Sequence, residues 1–448
     1  MSRKFCIQIW VRCVVVPMAL LVPITMLNAQ DTLTWNMIAS AVVEHSPDIA
    51  KARAELQTAG TMQQLHIGDY LPEISFALST SQNQQGPREV YLGAQSFRQE
   101  GQTFGYHSAG VSMSYTVFDW GNRHRTSEIL DSRYKARRSS LVKIQRQVLE
   151  QAFTGFTDLL EQKEILEISR EELRYLRRQR DFIKGLTDEG LQPAIDLRRI
   201  QVEIRNKETE ISRQAGRYKQ SRFTLMNIMG RELAGSTVFI PPAVPGDSTI
   251  GAQTDFDAVV NTHPATQELT AGLQTAKLER KKARWQMFPG LNLNTQYQRG
   301  NRRLEEVYGN FARNWNTSVS LQVSFPLYNQ SAQLIEIERR TSQIRTISED
   351  LRKQRQDAYR QVFEICNLYE TQFRNYTRRR RNIADYKAIH AYERRNYRAG
   401  ITAFRDYLNA VQSYLNARRS AVTAKYQLTK TAFRYELLTG KWDEVEGQ

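Results

Sequence analysis

The residues that could do chemistry in this sequence are few, and their spacing argues against catalysis. The six histidines, His45, His66, His107, His124, His263 and His390, form no pair at helical ligand spacing, and no His-Glu-x-x-His or Cys-x-x-Cys motif occurs. There is no phosphate-cradling Gly-x4-Gly-Lys-Ser/Thr loop and no Gly-x-Ser-x-Gly elbow. The expectation is a protein that is not an enzyme and holds no cofactor or metal. What recurs instead is a glycine followed six residues later by an aspartate, Gly190 with Asp196 and Gly400 with Asp406. A carboxylate just past a turn, in the first turns of a helix, suits the helix dipole, so the chemistry on offer is electrostatic.

That recurrence is one mark of a duplication running through the chain. Pro47, Leu56-Gln57-Thr58-Ala59 and Leu71-Pro72 return as Pro264, Leu273-Gln274-Thr275-Ala276 and Phe288-Pro289, each 217 positions later. Beyond that the displacement is 210, relating Phe118 to Tyr328, Phe153 to Phe363 and Gly230 to Gly440. The length change falls between Pro289 and Tyr328, which marks a loop there and rigid elements elsewhere.

Each copy must place its glycine turn on the same succession of elements. An amphipathic stretch, 34–44 or 254–262, precedes Ser46-Pro47 or His263-Pro264, where proline suits the first helical position and Ser46 could cap. A helix of about 20 residues should follow. Ile49, Ala52, Leu56, Ala59, Met62 and Leu65 form a narrow apolar seam on the first one, and Leu71-Pro72 and Phe288-Pro289 end the pair. The period then drops to two. Ile74, Phe76 and Leu78 alternate with polar or small residues, as do Val111, Met113, Tyr115 and Val117. The second copy repeats this with Leu291, Leu293, Thr295 and Tyr297, then Val319, Leu321, Val323 and Phe325. Strands of about 9 to 11 residues with one apolar and one polar face suit a membrane barrel. Four strands cannot close one, so the barrel must be shared between subunits.

Residues 121–184 and 330–397 lack proline and read as uninterrupted helices, each reaching roughly 100 Å at about 1.5 Å per residue. Each then turns tightly, at 184–190 or 398–400, into a second helix over 191–230 or 401–440 that ends on Gly230 or Gly440. Pro241-Pro242-Ala243-Val244-Pro245-Gly246 joins the copies, and Thr237-Val238-Phe239-Ile240 ahead of it could form one short strand. The expected division is a signal peptide at 1–29, a first repeat at 30–232 with its hairpin at about 73–118, a linker at 233–254, a second repeat at 255–441 with its hairpin at about 290–328, and a tail at 442–448.

Arg3, Lys4, the apolar stretch Val14–Leu27 and Leu27-Asn28-Ala29 carry the signal reading, which leaves Cys366 as the sole mature cysteine and no internal disulfide. The net charge of +16 comes largely from arginines interleaved with acids on helices, such as Arg177-Arg178 and Arg378 to Arg381. In an exported chain that pattern is a solvated helix face rather than a nucleic-acid footprint.

Helix, Leu-Pro, strand hairpin, long helix, glycine turn and helix, twice over, resemble the TolC-like outer membrane efflux protein family. The marks are Leu33-Thr34, Ser46-Pro47, Leu71-Pro72, Val117-Phe118-Asp119-Trp120-Gly121, Phe325-Pro326-Leu327-Tyr328-Asn329, Gly190-x5-Asp196 and Tyr397-x2-Gly400-x5-Asp406, spread over residues 33–441. The resemblance implies a mainly α fold with a membrane β-barrel portion. Three chains would give four strands each to one barrel in the outer membrane, with the long antiparallel helices forming a periplasmic tunnel. It implies a passive exit duct of a tripartite efflux or type I secretion system, working with a periplasmic adaptor and an inner-membrane pump. It further implies that Asp406 faces the threefold axis as a gate, that Tyr397 bonds to Asp196 to close it, and that the turns at Gly190 and Gly400 meet the adaptor. The family's second aspartate is Asn409 here and a closing arginine is Thr402, while Arg398 and Arg405 could neutralise part of the Asp406 ring. The rival reading is a periplasmic coiled-coil structural or adaptor protein without a conducting pore, which the two amphipathic strand pairs oppose.

Overall fold

The computed structural model describes residues 32–93, 95–233, 237–246, 254–309, 313–325 and 330–440. The signal peptide, the Pro326–Asn329 part of the second Phe-Pro motif, the tail at 442–448 and part of the linker lie outside the described residues.

The alternating runs form one antiparallel sheet of β2 (Glu73–Gln85), β5 (Gln102–Phe118), β7 (Gly290–Asn301) and β8 (Trp315–Ser324), in that order. The two repeats therefore join through β5 and β7, and β2 and β8 are left as edges. Register sorts the faces. Ile74 lies opposite Met113, Met113 opposite Thr295 and Thr295 opposite Val319, while Tyr115, Leu293 and Leu321 form the neighbouring row. The other face carries the row Ser75, Ser112, Gln296 and Ser318 and the row Glu73, Ser114, Asn294 and Ser320. Hydroxyls meet across the first hairpin, Ser75 with Ser112 at 2.7 Å and Ser79 with Ser108 at 2.9 Å. Nothing among the described residues covers the apolar face at its edges: Ile74, Phe76, Leu78, Val319, Leu321 and Val323 are 58–68% exposed. The polar stretches between the paired strands hold small elements, a second hairpin of β3 (Arg88–Leu92) with β4 (Gln95–Gln99) and a short helix α7 (Leu304–Gly309).

The helical part follows the duplicated plan with different local details. α1 (Trp35–His45) and α5 (Phe256–Thr262) precede α2 (Pro47–Leu65) and α6 (Pro264–Trp285), both with proline in the first turn. Ser46 makes no side-chain cap bond, so proline alone opens α2. A 3-10 turn at His66–Tyr70 then leads into Leu71-Pro72. Only the start of the α2 seam is buried: Ile49 and Ala52 are inside, whereas Met62 and Leu65 are 56% and 69% exposed. The long helices are α3 (Asn122–Asp188) and α8 (Gln330–Arg398), of 67 and 69 residues. They fold back into α4 (Ala194–Met229) and α9 (Phe404–Thr439), which begin three residues later than the sequence suggests because Leu191–Pro193 and Ile401–Ala403 belong to the turns.

Both turns close by the same two bonds. Gly190 N–H donates to Thr187 O and Leu191 N–H to Leu186 O; Gly400 N–H donates to Tyr397 O and Ile401 N–H to Asn396 O. Both glycines sit at φ +73°, the left-handed conformation that this helix-ending motif requires. The expected short strand exists as β6 (Val238–Phe239), paired in parallel with β1 (Thr32–Leu33). Around it lies the main core, where Trp35 packs edge-on against Phe153 at 4.8 Å and Phe433 at 5.1 Å, and the two phenylalanines stack at 4.0 Å.

The register makes a direct test. Leu321→Arg should cost about 2–4 kcal/mol if that position faces lipid at mid-depth. Ser320→Arg, on the opposite face, should cost little. Folding into phospholipid vesicles, read by heat-modifiable migration, should fall only for the first; equal losses would mean the faces are assigned wrongly.

Candidate gate at the helical turns

The two glycine turns end at a shared apolar cluster. Ile183 and Leu176 of α3, Ile200 and Ile204 of α4, Tyr397 of α8, and Phe404, Tyr407, Val411 and Leu415 of α9 pack together. The α9 members recur at spacings of three and four, the signature of one buried helix face. Tyr397 stacks flat on Tyr407, with ring centroids 5.0 Å apart, and meets Phe404 at 5.7 Å and Phe182 at 6.3 Å.

Tyr397 does not bond to Asp196, contrary to the expectation carried by the resemblance. Its hydroxyl is buried and completes no hydrogen bond, although the amides of Gln179 and Gln192 lie close enough to be felt. Burial first, then the charge of Asp196, pushes the phenol pKa up. The Asp196 carboxylate is instead held locally, accepting from Gln192 Nε2 at 3.1 Å and Arg199 Nη1 at 3.3 Å. The physical reason is ring stacking: lying flat on Tyr407 orients the hydroxyl, and Asp196 has nearer donors on its own turn.

Asp406 is the opposite case. It is exposed and makes no side-chain hydrogen bond or ion pair among the described residues. Its backbone N–H donates to Ala403 O in the turn, which fixes the residue while leaving the carboxylate in water. The two aspartates equivalent by duplication are thus one tethered and one free.

Sequence reasoning missed His390. It stacks on Tyr414 at 5.6 Å and 5° and on Tyr407 at 6.2 Å, and it meets Tyr175 edge-on, with Nε2 3.5 Å from the Tyr175 hydroxyl. Burial, then Arg394, lowers its pKa, and burial pushes Tyr175 up to about 12. No local motif signals it, because its ring partners come from two other helices, α3 and α9.

Above the cluster, charges cross between α3 and α9 in antiparallel order. Glu172 pairs with Arg419 at 2.7 Å, Glu171 with Arg418 at 2.8 Å, Glu164 with Lys425 at 2.7 Å, Asp158 with Lys430, and Glu150 with Arg434 at 2.5 Å. Glu172 also takes Lys207 of α4 at 2.8 Å, and its side chain is only 4% exposed. A buried carboxylate such as Glu172 needs partners of this kind and so fixes the helices facing it, whereas Glu171, Glu164, Asp158 and Glu150 are 31–50% exposed and their pairs contribute little. The seam ties the first helical hairpin to the last helix, while α8 reaches α3 through rings such as His390 on Tyr175.

No group of three metal-binding side chains exists among the described residues, and no helix there is long and apolar enough to cross a membrane. A groove of about 1270 Å³ between α3 and α6 is open and lined by charged and apolar side chains alike.

The family model of the outer membrane efflux protein matches residues 38–231 and 257–441, one match per repeat. The fold is shared with a membrane protein from Pseudomonas aeruginosa at TM-score 0.79 and 13% identity, covering 91% of this chain and 93% of that one. The outer membrane protein VceC from Vibrio cholerae gives 0.74 and 13%, covering 90% and 96%. The Campylobacter jejuni CmeC outer membrane channel gives 0.72 and 16%, covering 92% and 88%. No curated sequence matches. With a family match on both repeats, the chain belongs to the outer membrane efflux protein family.

Proposed function

We propose that three copies of this chain form one continuous exit duct, closed at rest near the Gly400 turn, which receives substrate from a periplasmic adaptor and an inner-membrane pump. The observation that carries it is the sheet of four strands with two unpaired edges and an uncovered apolar face, joined to helices of 67 and 69 residues. A sheet edge cannot face lipid, so β2 must pair with β8 of a neighbour. The helices carry matching unpartnered apolar side chains, including Phe363, Ile389 and Tyr392 on α8 and Val202 and Phe223 on α4, exposed by 45–63%. In such an assembly Asp406 repeats about the axis. Its lack of partners within the protomer supports the gate role, since a tethered carboxylate would attract passing cations less.

Asp196, Tyr397, Gly190 and Gly400 take narrower roles in this reading. Tyr397 holds the turn by stacking instead of latching Asp196. The two glycine tips, where a Cβ at Gly190 or Gly400 would meet nothing within 4 Å among the described residues, are the surfaces offered to the adaptor. The alternative of a poreless coiled-coil scaffold leaves the uncovered apolar sheet face without a purpose.

Three measurements follow from this reading. Purified protein in planar bilayers should conduct, and Asp406→Ala should lower cation preference by removing charge from the constriction; a parent that never conducts rules out the duct. Tyr397→Phe deletes a buried hydroxyl that completes no bond, so it should leave stability unchanged or raise it by about 1 kcal/mol, with conductance as in the parent. A loss above that size in thermal unfolding would show a latch after all. The third concerns pH. His390 has a lowered folded pKa, so the unfolded state protonates first on acidification, and the stability it contributes is present above about pH 6.5 and fades as pH falls through the folded value. His390→Phe, which keeps a stacking ring, should shrink the drop in Tm between neutral and mildly acid buffer; an unchanged drop would assign it to other groups such as His263, whose pKa is lowered as well.

A further inference from the structure

Where the sheet meets the helices, aromatic rings form a band at the edge of the apolar face. Phe118 pairs with Leu291 across a bulge, which turns its side chain onto that face. Phe118 meets Trp120 at 5.1 Å; Trp120 stacks on Trp285 at 6.0 Å, touches Phe288 at 5.1 Å and donates its indole N–H to Pro289 O at 2.9 Å. Arg125 lies over Trp285 at 4.9 Å and donates to Trp120 O at 2.5 Å. Tryptophans at such an edge mark the headgroup level of a bilayer.

The last turns of α6 lie immediately beneath this band. Lys281 and Arg284 stand three residues apart in α6, so they share one face, and Phe288 follows in the turn that ends the helix. Lys281 and Arg284 are exposed and have no ion pair among the described residues. The nearest acid in sequence, Glu279, is taken by Arg133 and Arg340, and Lys282 points away to the Thr126 hydroxyl at 2.8 Å. The duplicated positions in the first repeat, 217 residues earlier, are Gln64 and Ile67. The basic face is therefore a feature of one repeat only and does not follow from the shared architecture.

We propose that Lys281 and Arg284, backed by Arg125 and the Trp120–Trp285–Phe288 rings, bind the headgroup phosphate of an anionic phospholipid in the leaflet facing the helices. The surface is continuous with the lipid-facing side of the sheet, so acyl chains from a lipid held there run along Phe118 and Leu291. Long cationic side chains reach from a helix to the phosphate level. A zwitterionic headgroup brings its own ammonium against these two cations, whereas a phosphatidylglycerol-type headgroup brings a net negative charge. The proposal rests on the outer-membrane placement of the sheet.

The test uses the full chain in phosphatidylcholine vesicles doped with brominated phosphatidylglycerol or brominated phosphatidylcholine, with quenching of tryptophan fluorescence as the readout. The parent should prefer the anionic lipid by roughly tenfold. The Lys281→Gln/Arg284→Gln double variant should lose that preference, and Lys281→Arg/Arg284→Lys should keep it. Equal quenching by the two lipids in the parent, or an undiminished preference in the glutamine variant, overturns the proposal. Loss of the preference on adding inorganic phosphate at constant ionic strength also overturns it, because the site then takes free phosphate. Failure of the parent to float with the vesicles overturns the membrane placement as well.

Discussion

The unpaired edges of the four-stranded sheet constrain everything else in this molecule. Each of β2 and β8 presents a row of backbone donors and acceptors that water could satisfy but lipid could not. The register places an apolar face across all four strands, so the sheet sits where water is excluded. Closure by neighbouring copies removes both problems together. In the proposed assembly the rods beneath stand beside the same neighbours, and the apolar side chains left exposed along α4 and α8 are available to meet them.

Within that constraint the duplicated halves have diverged in what they bury. Phe153 is 4% exposed in the core beside Trp35, while its duplicate Phe363 is 60% exposed on α8. One half keeps its aromatic side chain for the protomer's own core and the other turns it towards the outside of the protomer. The aspartates diverge in the same sense, Asp196 tethered by Gln192 and Arg199 and Asp406 left free. A duplicated backbone can therefore carry unequal side-chain environments at equivalent positions.

The contacts between the halves are of two kinds with different consequences. Ion pairs along α3 and α9, anchored by buried Glu172, set the register of long smooth helices that apolar packing alone would let slip. Near the turns the contact changes to stacked rings, Tyr397 on Tyr407 and His390 on Tyr414, which tolerate small sliding better than fixed charge pairs do. The contact between the halves thus changes from charge pairs to stacked rings towards the glycine turns, the end proposed above as the gate.

Periodicity and duplicated spacing alone were enough to read the four strands, the long helices, the glycine C-caps and the β6 strand, because these depend on local patterns of two and of three to four residues. The glycine turns were legible for the same reason, since a left-handed residue ending a helix is a local requirement. The tertiary structure decided the rest. It placed a hairpin and a helix in the polar stretches between paired strands, left the far end of the α2 seam exposed, stacked Tyr397 on Tyr407 in place of a bond to Asp196, and gathered Tyr175, His390 and Tyr414 from three helices. Those outcomes depend on which helix faces which, and in rods this long a rotation of a few tens of degrees changes every partner. Such a rotation is set by the sum of contacts along the whole length, and no short stretch of sequence contains it.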